Sequence, residues 1–97
     1  MNINIQAIDF SATQALQDFI NKKAGKLTKH YDELQNLDVY LKVVKPETSL
    51  NKEAQVKATA PNAEFFAAKT CDTFEEAVTQ CLEAIERQIV KHKEKNK

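Results

Sequence analysis

The sequence predicts one α+β domain with the element order β-α-β-β-β-α, in which two helices pack on one face of a four-stranded sheet. Its 97 residues suffice for a single modest core, so residues 1–97 are expected to form one domain. Three short segments alternate apolar with polar residues, as strands buried on one side do, and a fourth is a short apolar run. Two longer segments instead repeat apolar residues at helical spacing.

The chain opens with a predicted strand over residues 2–8, followed by a helix over about residues 12–30. Ser11 and Gln14 fit a capping box at the start of the helix. Gly25 inside the helix costs about 1 kcal/mol relative to alanine; close packing on the sheet or simple tolerance would explain it. The apolar residues of these two elements are Ile3, Ile5 and Ala7 in the strand and Ala12, Ala15, Leu16, Phe19, Ile20 and Leu27 in the helix.

Three more strands are predicted, over residues 37–45, 53–60 and 63–71. Pro46 closes the first of them, because proline has no N–H to donate to a sheet. The turn signal Pro61-Asn62 separates the other two. The facing of the last strand stays open, since its centre has four consecutive apolar residues. In the predicted strands over residues 37–45 and 53–60, the residues expected to face the core are Leu37, Val39, Leu41, Val43, Ala54, Val56, Ala58 and Ala60.

The last helix is predicted from about residue 73 to the low 90s. Asp72 or Thr73 can cap its start. Glu75 or Glu76 follows three residues later, as in a capping box. Residues 91–97 form a basic tail that is expected to fray. The apolar stripe of this helix is Phe74, Ala77, Val78, Cys81, Leu82, Ile85 and Ile89.

The charges of the chain sum to zero, but they are segregated along it. The net charge is −2 over residues 1–21, +4 over 22–31, −6 over 32–86 and +4 over 87–97. A right-handed crossover between the first two strands makes both helices run in the same direction. Their basic C-terminal ends should therefore meet at one edge of the domain, with Glu94 as the one acid among the cations.

This predicted basic patch indicates a polyanionic partner, because phosphate contacts would relieve its self-repulsion. Cations also complement the negative ends of helix dipoles, which accounts for any single lysine but not for so many. Within each helix the cations recur at spacings of three or four and share a face. The predicted RNA-binding residues are Lys22, Lys23, Lys26, Lys29, Arg87, Lys91, His92, Lys93 and Lys95.

Other chemistries lack residues to support them, so no enzyme, cofactor, metal site or small-molecule substrate is expected. His30 and His92 have no further ligands at metal-binding spacing. The single glycine excludes a phosphate-binding loop. Cys71 and Cys81 are expected to be reduced thiols, because no signal peptide begins the chain. No segment approaches a membrane span, and a cytoplasmic protein without membrane contact is expected.

Several short motifs stand in an order that carries a family resemblance. They are Ile3-Asn4-Ile5, Ala15-Leu16 with Phe19-Ile20, Lys23, Lys26-Leu27, Tyr31-Asp32, Val39 to Lys45, Ala63-Glu64 with Ala67, Asp72 with Phe74 and Ala77, and Arg87-Gln88-Ile89 with Lys91-His92-Lys93. Over nearly its whole length the chain resembles the short ribosome hibernation promoting factor and ribosome-associated inhibitor family, also called sigma-54 modulation proteins. It departs from the family pattern at Gln17, where a basic residue is common, and at Pro61-Asn62-Ala63, where a glycine-containing turn is usual.

The resemblance implies a fold similar to double-stranded RNA-binding domains and binding to 16S-type rRNA in the decoding region of the small ribosomal subunit. Such binding would block messenger and transfer RNA and inhibit translation under stress or in stationary phase. The resemblance leaves open whether a helper protein then pairs ribosomes into dimers. The chain ends soon after the last helix, so the C-terminal dimerisation domain of long family members is expected to be absent. The positions that match the family's RNA contacts are Lys23, Lys26, Arg87, Lys91 and Lys93.

Two other functions remain open. A double-stranded RNA-binding module would read duplex shape, although such domains usually begin with a helix. A protein-interaction domain that modulates a sigma factor would depend on the polar sheet face more than on the lysines. The candidate contacts on that face are Tyr40, Lys42, Gln55, Lys57 and Thr59.

Overall fold

The computed structural model describes residues 2–8, 10–44 and 51–95, with the backbone alone at residues 94 and 95. It confirms the α+β class and the order β-α-β-β-β-α. The elements are β1 (Asn2–Ile8), α1 (Gln14–His30), β2 (Asn36–Val43), β3 (Lys52–Ala60), β4 (Ala63–Cys71) and α2 (Phe74–Lys95). β2 ends at Val43 rather than at residue 45, and the predicted role of Pro46 falls outside the described residues. α2 extends through Lys95, beyond the predicted end in the low 90s.

The four strands form one mixed sheet in the order β1-β2-β3-β4. β1 and β2 are parallel, because α1 connects them as a crossover, whereas β3 and β4 follow as antiparallel neighbours. One row across the sheet shows the register: Ile5 lies beside Val39, Val39 beside Val56, and Val56 beside Ala67. The alternation seen in the sequence thus places the apolar residues on one face.

Both helices cover this apolar face, with α2 packed on β3 and β4 and α1 packed beside α2. The core consists of sheet residues and one stripe from each helix, and it includes Ile20, Leu37, Leu41, Val56, Val78, Ile85 and Ile89 among its fully buried members. Each such aliphatic side chain contributes roughly 1.5–3 kcal/mol by leaving water. The facing of β4 is settled here: Phe65 and Ala67 point into the core, and Phe66 points to solvent.

The helix starts correct one prediction and confirm another. Thr13, not Ser11, caps α1, because its extended backbone directs Oγ1 at the N–H of Leu16, which donates to it at 3.1 Å. The helix therefore begins at Gln14, two residues later than expected. In α2 the N–H of Glu76 donates to Thr73 Oγ1 at 3.1 Å, which confirms the Thr73 alternative.

The two helices run in the same direction, as the crossover argument predicted. Near their N-terminal ends, the rings of Phe10 and Phe74 stack with centroids 5.0 Å apart. At their C-terminal ends, Lys93 of α2 lies over the ring of Tyr31, which follows α1 directly. Side-chain contacts therefore connect the α1 and α2 segments near both ends of the helix pair. No described helix is long and apolar enough to cross a membrane.

Candidate nucleic-acid interface

The basic row of α1 lies on the second half of the helix. Its apolar residues turn toward α2 and the sheet, which leaves the lysines on the solvent side. Lys23 is half-buried, with Nζ 5.6 Å from the centroid of the Phe19 ring. The other three, Lys22, Lys26 and Lys29, are exposed.

The basic row of α2 occupies its last two turns. Arg87, Lys91, His92 and Lys93 are all exposed, whereas the side chain of Lys95 lies outside the described residues. A shallow depression of about 470 Å³ on the outer surface of α2 is lined by Glu83, Glu86, Arg87, Val90 and Lys91. Arg87 and Lys91, one helical turn apart, thus share a surface, as the sequence spacing predicted.

The two rows come together where both helices end. Lys93 Nζ lies 3.2 Å from Glu33 Oε1 and 4.9 Å from the centroid of the Tyr31 ring. A hydrogen bond from its own backbone N–H, together with the Lys93 ammonium, holds the pKa of Glu33 below its usual value. Lys93 is therefore already engaged within the protein, and its charge is less available to an external anion than those of its neighbours.

The histidines have different surroundings. His92 meets the ring of Phe65 edge-on, with centroids 5.6 Å apart. His30 is exposed and, like Lys23 and Lys26, lines the groove between the helices. Among residues 2–8, 10–44 and 51–95, no group of three or more His, Cys, Asp or Glu side chains is placed to hold a metal ion.

The groove between the helices mixes both charges. It has a volume of about 330 Å³ and is lined by Lys23, Lys26 and His30 from α1 and by Glu83 and Glu86 from α2. The same two glutamates line the depression beside Arg87 and Lys91. They form an acidic strip between the two basic rows.

The acidic strip corrects the expectation that Glu94 would be the one acid among the cations. Glu33 also pairs with a patch lysine, and Glu83 and Glu86 separate the rows. The net charge of residues 32–86, taken as one long segment, does not show where these three glutamates lie. Helical spacing does place Glu83 one turn before Arg87 and on the same face, as in an ordinary i,i+4 pair, but the described ion pairs do not include these two residues.

The opposite side of the domain, the open face of the sheet, has few unmatched charges. Lys57 pairs with Glu64 at 3.2 Å, and the amide of Asn4 donates to Asp38 Oδ1 at 3.0 Å. Phe66 is 55% exposed there. A polyanion would find many more cations on the helix side, so the helices carry the candidate nucleic-acid interface.

Fold and surface together define a class of protein: a small α+β domain whose two parallel helices present cations on one side. The family model described as "Sigma 54 modulation protein / S30EA ribosomal protein" matches residues 3–97, and the chain belongs to this family. The resemblance drawn from the ordered motifs is thereby confirmed. The family is not one of enzymes, which also confirms the prediction that the chain is not an enzyme.

Several relatives carry hibernation-factor names. The ribosome hibernation promoting factor of Pseudomonas putida is 28% identical over 95 residues, covering 98% of this chain and 89% of the relative. That of Escherichia coli strain K12 is 28% identical over 102 residues, covering 100% and 98%. The ribosome hibernation promotion factor of Bacillus subtilis is 30% identical over 97 residues, which are 98% of this chain but 50% of the relative.

Two solved structures share the fold. A ribosomal subunit interface protein from Coxiella burnetii superposes with a TM-score of 0.84 at 20% identity, covering 96% of this chain and 98% of the other. The N-terminal domain of Protein Y from Thermus thermophilus gives a TM-score of 0.77 at 18% identity, covering 92% and 96%. At such identities the likeness supports the fold alone.

Proposed function

We propose that this protein is a cytoplasmic ribosome hibernation factor that binds 16S-type rRNA of the small ribosomal subunit through the cations of α1 and α2. In the decoding region it would block messenger and transfer RNA and so inhibit translation under stress or in stationary phase. The observation that carries the proposal is the pair of exposed basic rows on adjacent, parallel helices. The names of the curated relatives supply the ribosome as the partner.

Most of these cations are available for phosphate. Within the described part of the chain, the ion pairs are Lys57 with Glu64 and Lys93 with Glu33. No described carboxylate oxygen therefore lies within 4 Å of the ammonium or guanidinium groups of Lys22, Lys26, Lys29, Arg87 or Lys91. Each phosphate they neutralise would release counterions, so binding should weaken steeply as salt rises.

We propose that residues 1–97 form one ribosome-binding domain whose site comprises the nine predicted RNA-binding residues. Lys26 and Lys91 are suitable residues for testing the α1 and α2 rows by mutation, since both are exposed and neither belongs to the core. A contribution to ribosome dimers, with a helper protein, would be a second consequence of the same binding. Sedimentation of whole ribosomes would report it.

The test is co-sedimentation of the purified protein with small ribosomal subunits across a salt series. The Lys26→Glu, Lys91→Glu double variant is compared with wild type and with a Lys42→Glu, Lys69→Glu control, which makes the same charge change at exposed positions outside the patch. We expect salt-sensitive binding that the patch variant loses and the control keeps. Binding by the patch variant equal to wild type would overturn the mechanism and direct attention to the open sheet face. Stronger binding to free duplex RNA than to subunits would instead favour a duplex-reading module.

A further inference from the structure

The acidic strip of Glu83 and Glu86 lies between the two basic rows, within the surface that a bound RNA would cover. Glu83 and Glu86 face Lys23 and Lys26 across the helix groove, and on their other side they adjoin Arg87 and Lys91. Both glutamates are exposed, and neither has a lysine or arginine nitrogen within 4 Å among the described residues. Their negative charges therefore face solvent in the middle of the surface that would meet phosphate.

A polyanion lying across both basic rows would bring phosphates close to these carboxylates. Phosphates and carboxylates repel each other because both are negative. The two glutamates therefore offset part of the attraction that the flanking cations exert on the polyanion. The repulsion is avoided only by a ligand whose phosphates run along the two rows and leave the middle free of charge. A carboxylate there would instead accept hydrogen bonds from hydroxyl or amino groups.

We infer that Glu83 and Glu86 are selectivity residues of the RNA-binding surface, which lower its affinity for polyanions in general and favour RNA that offers hydrogen-bond donors between two phosphate tracks. The inference rests on the proposed function and deepens it. The wide, shallow minor groove of an A-form RNA helix has this character, because two backbones border a surface of 2′-hydroxyl groups. Duplex DNA has no 2′-hydroxyl groups that could donate hydrogen bonds to Glu83 and Glu86.

The test uses the isosteric double variant Glu83→Gln, Glu86→Gln, which keeps the shape of the groove and removes both charges. Its affinity is measured for a mixed-sequence DNA duplex and for small ribosomal subunits at one fixed low salt concentration. The matched control is Glu75→Gln, Glu76→Gln, which makes the same net-charge change in the first turn of α2, far from the basic rows. Thermal unfolding of both variants verifies that they fold.

We expect the strip variant to bind DNA about fivefold more tightly than wild type, the size expected for removing two nearby charges in a high dielectric. Its affinity for subunits should change less, so the preference for subunits over DNA falls. The control should leave that preference unchanged. An unchanged preference in the strip variant, or an equal loss in the control, would overturn the inference. Wild-type failure to bind subunits at all would count against the proposed function alone, because the gain in DNA affinity is measured independently.

Discussion

Gln88 of α2 binds both backbone groups of Phe66 on the edge strand β4. Its Nε2 donates to the Phe66 carbonyl at 2.7 Å, and the Phe66 N–H donates to its Oε1 at 3.3 Å. β4 is the last strand of the described sheet, so these groups have no strand partner among the described residues and could pair with another chain. Gln88 covers that edge at its middle, which explains in structural terms why a glutamine stands between Arg87 and Ile89.

Replacing Gln88 with alanine should destabilise the protein by about 1–2 kcal/mol, because two backbone groups lose their partners. Urea unfolding would measure the loss, and size-exclusion chromatography would detect association through the freed edge. Gln80→Ala is the matched control, since the Gln80 amide makes only a 3.5 Å contact to Glu76 in solvent. Equal stabilities of the two variants would show that the contact to β4 contributes nothing.

Gly25 lies in α1 at a position where a larger side chain should stabilise the protein rather than destabilise it. A Cβ added there would meet no atom of the described residues within 4 Å, so tolerance rather than close packing explains this glycine. Gly25→Ala should raise the free energy of unfolding by about 0.5–1 kcal/mol, through better helix propensity and a less flexible unfolded chain. Chemical denaturation measures it. The reverse change next door, Ala24→Gly, should lower stability, and a loss of stability in Gly25→Ala would contradict this explanation.

Lys93 and Lys91 should separate stability from RNA binding. Lys93→Ala removes the contacts to the exposed Glu33 and the half-buried Tyr31 and should cost at most about 1 kcal/mol. Lys91→Ala should leave stability within about 0.5 kcal/mol and weaken subunit binding more, since no described carboxylate lies within 4 Å of the Lys91 ammonium. Thermal unfolding and co-sedimentation of both variants test the contrast. The opposite result would contradict the roles assigned to the two lysines. In that result Lys93→Ala leaves stability unchanged and weakens subunit binding more than Lys91→Ala does.

The buried thiols predict a loss of stability at high pH. Burial raises the pKa of Cys81 from about 9.0 to about 11, and its Sγ donates to the carbonyl of Ala54 at 3.3 Å. Between those pH values the unfolded chain releases this proton and the folded protein keeps it. The free energy of unfolding should therefore fall as pH rises from 9 to 11, by up to about 1.4 kcal/mol per unit from this group. Below about pH 8, where the thiol is protonated in both states, the group should have no effect.

Comparison with Cys81→Ala isolates this thiol, because the two proteins differ at this residue alone. The variant should be less stable at pH 8, since it loses buried volume, and should show a shallower slope above pH 9. Parallel slopes would rule out the effect. Burial also raises the pKa of Cys71, so both thiols should react slowly with a thiol reagent at neutral pH until the protein unfolds.

The sequence by itself determined the order of elements and the inner face of most strands. Alternation in segments such as Leu37 to Val43 encodes which side is buried, because successive strand side chains point to opposite faces. The parallel course of the helices followed from the handedness of one crossover. Both are local or topological rules, and they suffice to predict that the C-terminal ends of α1 and α2 lie together.

Tertiary structure alone decided the features that depend on distances between elements. The facing of Phe65 and Phe66, and the choice of Thr13 over Ser11 as the cap, depend on how the chain packs. So do the engagement of Gln88 with β4 and the position of Glu83 and Glu86 between the basic rows. A side chain's neighbours across a groove are set by the spacing and rotation of two packed helices. The periodicity of either helix records which face is buried, but it contains no information about what stands opposite.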